Sequence, residues 1–237
     1  MSDSENFTEC FNKGLEYYER NDWKKAIESF KSCLKFDDTD CGVWNQLGLS
    51  YVKNEEYNKA IDAYKNALRI DNEYKVGWNN LGHAYGKLKE YDKAIDALNR
   101  ALEIDPEFQN SWNILGDVYM ETNQHEKAIS ALKTSIKFNP LNDLAWNNLG
   151  FNYEETGEYN KAIEAYKRAV NINPEFKIAW SNLGHAYNKI GEYDKAIEAL
   201  ESVLDIDPEF STSLSILGEI YIAKGEYEEE EGGEGHR

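Results

Sequence analysis

Histidine and cysteine are the residues of this 237-residue chain best suited to metal or nucleophilic chemistry, and neither type is spaced for it. Cys10, Cys33 and Cys41 are confined to the first 41 residues and match no metal-ligand spacing. They read as small buried or half-buried thiols of a reducing compartment. His83 and His185 occupy identical His-Ala-Tyr settings 102 residues apart. Across a stack of three helix pairs, at about 10 Å per helix spacing, that separation is on the order of 30 Å. A metal ion with ligand bonds of about 2 Å cannot join them. They read as two equivalent ligand-facing histidines inherited from a copied block. No phosphate loop occurs either, since the glycines Gly232, Gly233 and Gly235 sit in an acidic run and not between a strand and a helix. No Ser/His/Asp constellation is marked. The chain is therefore expected to be no enzyme and to need no cofactor or metal.

Charge narrows the partner class. With 26 Lys+Arg against 44 Asp+Glu the formal net charge is −18. Nucleic-acid binding needs a surplus of cations to displace condensed counterions, and an anionic membrane surface repels the same excess of carboxylates. No apolar run approaches the roughly 20 residues that span a bilayer. The start, Met1–Asn6, lacks a basic and an apolar leader region, so a cytoplasmic protein is expected. A content of 41% hydrophobic and 13% aromatic residues supplies a core. Four prolines and an abundance of Glu, Lys, Ala and Leu point to helices.

The elements follow from a period of 34. Trp44, Trp78, Trp112, Trp146 and Trp180 obey it, as do all four prolines (Pro106, Pro140, Pro174, Pro208) and Gly14, Gly48, Gly82, Gly116, Gly150, Gly184 and Gly218. Within a period, Trp78, Leu81, Gly82 and Tyr85 mark one helical face and Ala94, Leu98, Ala101 and Leu102 a second. Asn21, Asn123, Gly157, Gly191 and Gly225 stand where the first helix must stop, and both residue types tolerate the left-handed backbone that closes a helix. Each period is thus a helix–turn–helix pair. The mid-helix glycine costs about 1 kcal/mol relative to alanine. Its recurrence implies a close approach, beside Ala60, Ala94, Ala128, Ala162 and Ala196 of the second helix. A slower repeat of three periods relates Ile114–Tyr119 to Ile216–Tyr221, as it relates the two histidines.

Trp-x-x-Leu-Gly-x-x-Tyr followed by Ala, an aromatic or Leu, a small residue and Pro resembles the tetratricopeptide repeat, TPR. The resemblance covers residues 7–224 and implies an all-α, right-handed α-solenoid of antiparallel helix pairs. It divides the chain into an N-terminal extension at 1–6, repeats at 7–40, 41–74, 75–108, 109–142, 143–176 and 177–210, and a single terminal helix at 211–224. Residues 225–237 hold six Glu and one Arg and are expected to form a disordered acidic tail.

In the family the first helices line a concave groove through set positions. The resemblance therefore implies a peptide-binding surface at fifth positions Phe11, Asn45, Asn79, Asn113, Asn147 and Ser181, with Asn80, Asn148 and Asn182 beside them. An amide offers donor and acceptor together and suits the backbone of an extended guest. Ninth positions are Leu15, Leu49, His83, Asp117, Phe151 and His185. Thirteenth positions include Lys53, Lys87, Glu121, Glu155 and Lys189, which change sign in blocks. Leu15 and Leu49 with Phe11, Tyr18 and Val52 predict an apolar contact patch on the first two repeats. The chaperone-tail clamp of some TPR proteins is missing, because no fifth position carries Lys and second positions such as Leu144 and Ile178 carry no cation. The function implied is a protein-interaction scaffold or adaptor that binds an extended protein or peptide partner. The alternatives are an RNA reader built of similar helical pairs, which −18 disfavours, and a homo-oligomer assembled through the apolar terminal helix.

Overall fold

A computed structural model describes the backbone of residues 3–233 and the side chains of residues 4–225. The chain forms two compact units, Met1–Val118 and Tyr119–Arg237. In the first, α1 (Asp3–Glu19) pairs with α2 (Trp23–Cys33), α3 (Cys41–Lys53) with α4 (Tyr57–Ile70), and α5 (Lys75–Lys87) with α6 (Tyr91–Ile104). Helix α7 (Gln109–Glu121) runs through the division. The second unit holds α8 (His125–Phe138), the pairs α9 (Asp143–Glu155) with α10 (Tyr159–Ile172) and α11 (Lys177–Lys189) with α12 (Tyr193–Ile206), and α13 (Ser211–Gly233). Helices α4 and α10 also pack on the first helix of the following pair. A helix that is apolar on one stripe thus buries it between two neighbours.

The recurring glycine is where a bulky side chain of the second helix seats. A Cβ at Gly48 would lie 2.4 Å from the Tyr64 ring, and one at Gly150 would lie 2.6 Å from Tyr166. Tyr64 and Tyr166 are buried, at 1% and 0% exposure. The expected small-on-small contact is therefore sharper than the spacing implied: alanine opens the approach, and the tyrosine four residues on fills it.

Helix stops follow the expected positions at Asn21 (φ 59°), Asn123 (φ 55°), Gly157 (φ 77°) and Gly191 (φ 78°). Glu55 and Lys89 adopt the same left-handed backbone at φ 60° each, although neither residue type favours it. Gly225 differs from the expectation. Helix α13 runs through it to Gly233, so most of the stretch expected to be a disordered tail has helical backbone. Its glutamates are good helix formers, and the propensity of the run outweighs a single interior glycine. Residues 234–237 lie outside the described residues.

Asp22, Asp40 and Asn142 accept hydrogen bonds from backbone N–H groups three residues on, at Lys25 (3.3 Å), Val43 (3.0 Å) and Ala145 (3.0 Å), and so cap α2, α3 and α9. The tryptophans do more than pack. Each of the five periodic indoles donates its Nε1–H to a backbone oxygen six residues back: Trp44 to Asp38, Trp78 to Asn72, Trp112 to Pro106, Trp146 to Pro140 and Trp180 to Pro174, all within 2.8–2.9 Å. The residue that anchors the first helix thereby also fixes the turn that delivers it.

The cysteines depart from the expected free thiols. Cys10 and Cys33 form a disulfide across α1 and α2, with Cα atoms 5.6 Å apart, because helix pairing brings positions 23 residues apart face to face. Cys41 remains a thiol, half-buried, and burial pushes its pKa up. No described helix is long and apolar enough to cross a membrane.

Candidate functional site

The first helices present two rows per unit, one turned toward neighbouring repeats and one toward solvent. Fifth-position side chains belong to the first row. Asn45, Asn79, Asn147 and Ser181 are 4%, 6%, 7% and 3% exposed. Asn80 Nδ2 donates to Asn45 Oδ1 at 2.9 Å, Asn79 Nδ2 to Asn80 Oδ1 at 3.1 Å, and Ser111 Oγ to Asn79 Oδ1 at 3.0 Å. The second unit repeats the arrangement: Asn182 Nδ2 donates to Asn147 Oδ1 at 3.0 Å, and Ser213 Oγ to Ser181 Oγ at 3.2 Å. The amide row thus ties one repeat to the next. Buried amides left unpaired would each cost about 1–3 kcal/mol, so the second row of asparagines supplies their partners. Asn113 is half-buried, and its Oδ1 is buried with no hydrogen-bond partner among the described residues. Phe11 fills the fifth position of the first repeat and packs against Phe7 and Phe30 at ring distances of 6.3 and 5.9 Å.

Ninth and thirteenth positions reach the surface. In the first unit Lys53 and Lys87 are exposed and His83 is half-buried between them in sequence register. Burial is the chief cause holding the His83 pKa below its ordinary value, and the positive fields of Lys87 and Lys53 push the same way. Asp117 is half-buried on α7. In the second unit His185 stands at the equivalent place, but its Nδ1 meets Glu154 Oε1 at 2.5 Å. The other carboxylate oxygen of Glu154 accepts from the Tyr166 hydroxyl at 3.0 Å, which fixes the carboxylate in place. Lys189, Glu121 and Glu155 are exposed.

The apolar surface lies away from the patch expected on the first two repeats. Leu15, Leu49, Tyr18 and Val52 are all half-buried, because in the first unit they pack into the first two helix pairs. Exposure instead concentrates on the second unit, at Leu144 (55%), Phe151 (37%) and Ile178 (53%). Leu144 and Ile178 are second positions of their repeats, about two turns before the ninth. In the sequence they stand out only as lacking the cation of a chaperone clamp. Their apolar type at a solvent-facing position is the signal that marks them.

A family model described as the cilia and flagella-associated protein 70 C-terminal domain matches residues 9–177, and one described as the tetratricopeptide repeat matches residues 178–210. No curated protein sequence matches the chain. Among solved structures, MamA is 29% identical with a TM-score of 0.64, over 69% of this chain and 95% of MamA. YrrB, described as a TPR protein with an unusual peptide-binding site, is 22% identical with a TM-score of 0.65, over 80% of this chain and 98% of YrrB. PilF of Pseudomonas aeruginosa is 18% identical with a TM-score of 0.79, over 92% of this chain and 99% of PilF. The 34-residue helix pairs, the ring-on-glycine seats and two family matches that run from residue 9 to residue 210 agree: the chain belongs to the tetratricopeptide repeat family.

Proposed function

We propose that the protein is a non-enzymatic interaction scaffold that holds an extended protein segment against the first-helix face of its repeats. The observation that carries this reading is the exposed apolar set at fixed positions of the first helices, Leu144 and Phe151 two turns apart on one face of α9 and Ile178 at the second position of α11. His185 and Lys189, at the ninth and thirteenth positions of α11, supply polar contacts within that unit, and Lys53, His83, Lys87 and Asp117 form the corresponding row of the first unit. The amides Asn45, Asn79 and Asn147 act from behind as the ties that keep the face in register. YrrB, of the same fold, is described as having a peptide-binding site.

Selection of a displayed peptide library on the intact chain tests this. Selected peptides should lose at least about tenfold in affinity for a Leu144→Ser, Phe151→Ser, Ile178→Ser variant, the scale of truncating central apolar contacts. Peptides that bind the variant as well as the parent overturn the assignment of the face.

A second reading has its own observation. Gly218 of α13 stands at the seat that holds a phenylalanine, tyrosine or leucine in five other repeats, yet a Cβ there would meet no atom of the described residues within 4 Å. Around it Leu214, Tyr221 and Ile222 are 48%, 56% and 65% exposed. This vacant seat favours self-association through the terminal helix. Sedimentation of the parent should then show a dimer that Leu214→Lys plus Ile222→Lys dissolves, and a monomeric parent rejects the reading.

A further inference from the structure

The first unit carries a trough on another helical face. Between α4 and α6, over α5, lies an open trough of about 580 Å³. Its floor is Leu68, Trp78, Leu81 and Tyr85. Three of these are largely buried (Leu68 6%, Leu81 4%, Tyr85 8%), so the floor is a rigid part of the core and not a mobile surface cluster. Trp78, Leu81 and Tyr85 sit at the fourth, seventh and eleventh places of their repeat. They share one helical face, whereas Asn79, His83 and Lys87 share another. The trough is therefore separate from the first-helix face proposed above.

Its rim is cationic in a chain of net charge −18. Lys65 and Arg69 come from α4, Lys93 and Arg100 from α6, against the single carboxylate of Asp96. Lys65 and Lys93 stand over the Tyr85 ring from opposite helices, 5.7 and 5.5 Å from its centroid, which holds both ammonium groups at the mouth of the trough. Arg69 donates to the neutral Asn66 amide at 2.9 Å. Arg100 is paired with Glu103 at 2.6 Å and Lys93 with Glu90, both as exposed pairs at the helix surface. Exposed pairs of this kind contribute little and give way to a better-placed carboxylate. The trough one repeat earlier is smaller, about 340 Å³, and has Asn66 where this one has Arg100.

We propose that this trough binds an acidic peptide segment of a partner protein that lays one bulky apolar side chain on Trp78 and Leu81 and pairs its carboxylates with Arg69 and Arg100. An apolar floor with a few polar groups converging on it is the make-up of a recognition site, and the volume lies within the usual range of roughly 300–1,000 Å³. The forked guanidinium groups suit planar carboxylates, which they can grip with two parallel bonds. At about 0.15 M salt fields are screened beyond about 8 Å. A guest in the trough is then governed by the charges at its rim, four cations set against Asp96 and the displaceable partners Glu90 and Glu103, and not by the carboxylates elsewhere on the chain. The same screening leaves too few cations in reach for a nucleic-acid backbone, which rewards many phosphate contacts at once.

The test uses the full chain and a fluorescein-labelled peptide of glutamates around one phenylalanine, with a control that has glutamine for every glutamate. Binding is followed by anisotropy near physiological salt and by the Trp78 indole N–H resonance. That resonance belongs to a residue lining this trough, which separates it from the second unit, where Lys133, Lys137, Lys161 and Arg168 recur at the same register. The acidic peptide should bind and shift the Trp78 signal. Arg69→Glu plus Arg100→Glu, at exposed positions that leave the core untouched, should abolish that shift, and the glutamine control should lose at least about tenfold in affinity. An unchanged Trp78 signal overturns the proposal, as does an unaltered response in the double variant. An RNA oligomer that displaces the peptide from the parent also overturns it, because the site would then read charge and not an acidic peptide.

Discussion

The two units are built from one template and differ plainly in their solvent rows. Repeats three and six, related by the 102-residue copy, keep the same ties: Lys75 to Asp105 at 2.5 Å in the first unit and Lys177 to Asp207 at 2.8 Å in the second. The lysine in each pair holds its aspartate below the usual carboxylate range. Gly82 and Gly184 seat Leu98 and Leu200 alike, with the leucine 2.6 and 2.5 Å from where a Cβ would stand. Their histidines have diverged. His83 lies in a field of lysines, whereas His185 bonds a carboxylate. The period therefore constrains packing and inter-repeat bonding, and the solvent row was free to specialise.

If packing is the shared part, breaking it should cost the same in both units. Gly82→Ala and Gly184→Ala each force a Cβ against a buried leucine and a backbone carbonyl. Each should lower unfolding free energy by about 3 kcal/mol, as overpacking does. Gly218→Ala, with nothing to meet, should instead gain about 1 kcal/mol from helix propensity. Denaturant titration separates the three, and unequal losses at Gly82 and Gly184 would break the equivalence. Next in size, Asn79→Ala and Asn147→Ala should each cost about 2 kcal/mol, because each strips a buried inter-repeat bond and leaves a partner unpaired.

The divergent row should respond to pH where the shared row does not. The folded pKa of His83 lies below its unfolded value near 6.5, so on acidification the unfolded chain takes up that proton first. The stability that neutral His83 confers is full above about 6.5 and is lost as pH falls through the folded value. Thermal midpoints of the parent should therefore drop more steeply below about pH 6.5 than those of His83→Gln. In an NMR titration Lys87→Ala should move the His83 midpoint upward. An unmoved midpoint would show that burial alone sets it. The smallest effect concerns the turns: Lys89→Gly relieves a left-handed non-glycine residue and should gain about 0.5 kcal/mol, the strain relieved less the added chain entropy.

The fold was legible because its period writes itself into three unrelated residue types, and each of them has a physical task. Tryptophan locks a turn, glycine receives a buried ring or leucine, and proline cannot continue the helix it follows. The left-handed Glu55 and Lys89 were not legible, because repeat geometry imposed a conformation that neither residue signals. The candidate site was less legible. The amides at position five look like ligand groups in sequence, yet a donor and an acceptor on one short side chain serve a neighbouring helix equally well, and only the packing decides. The disulfide is hidden in the sequence because Cys10 and Cys33 approach only after α1 and α2 pair.

The indole bonds across the five inter-repeat turns have a use beyond holding those turns. Each joins one proton to one joint of the array. That proton exchanges with deuterated solvent when its bond to the turn opens, so five resonances become five separate clocks of local opening. In an array whose repeats touch only their neighbours, the order in which those clocks run out maps the order in which the molecule comes apart.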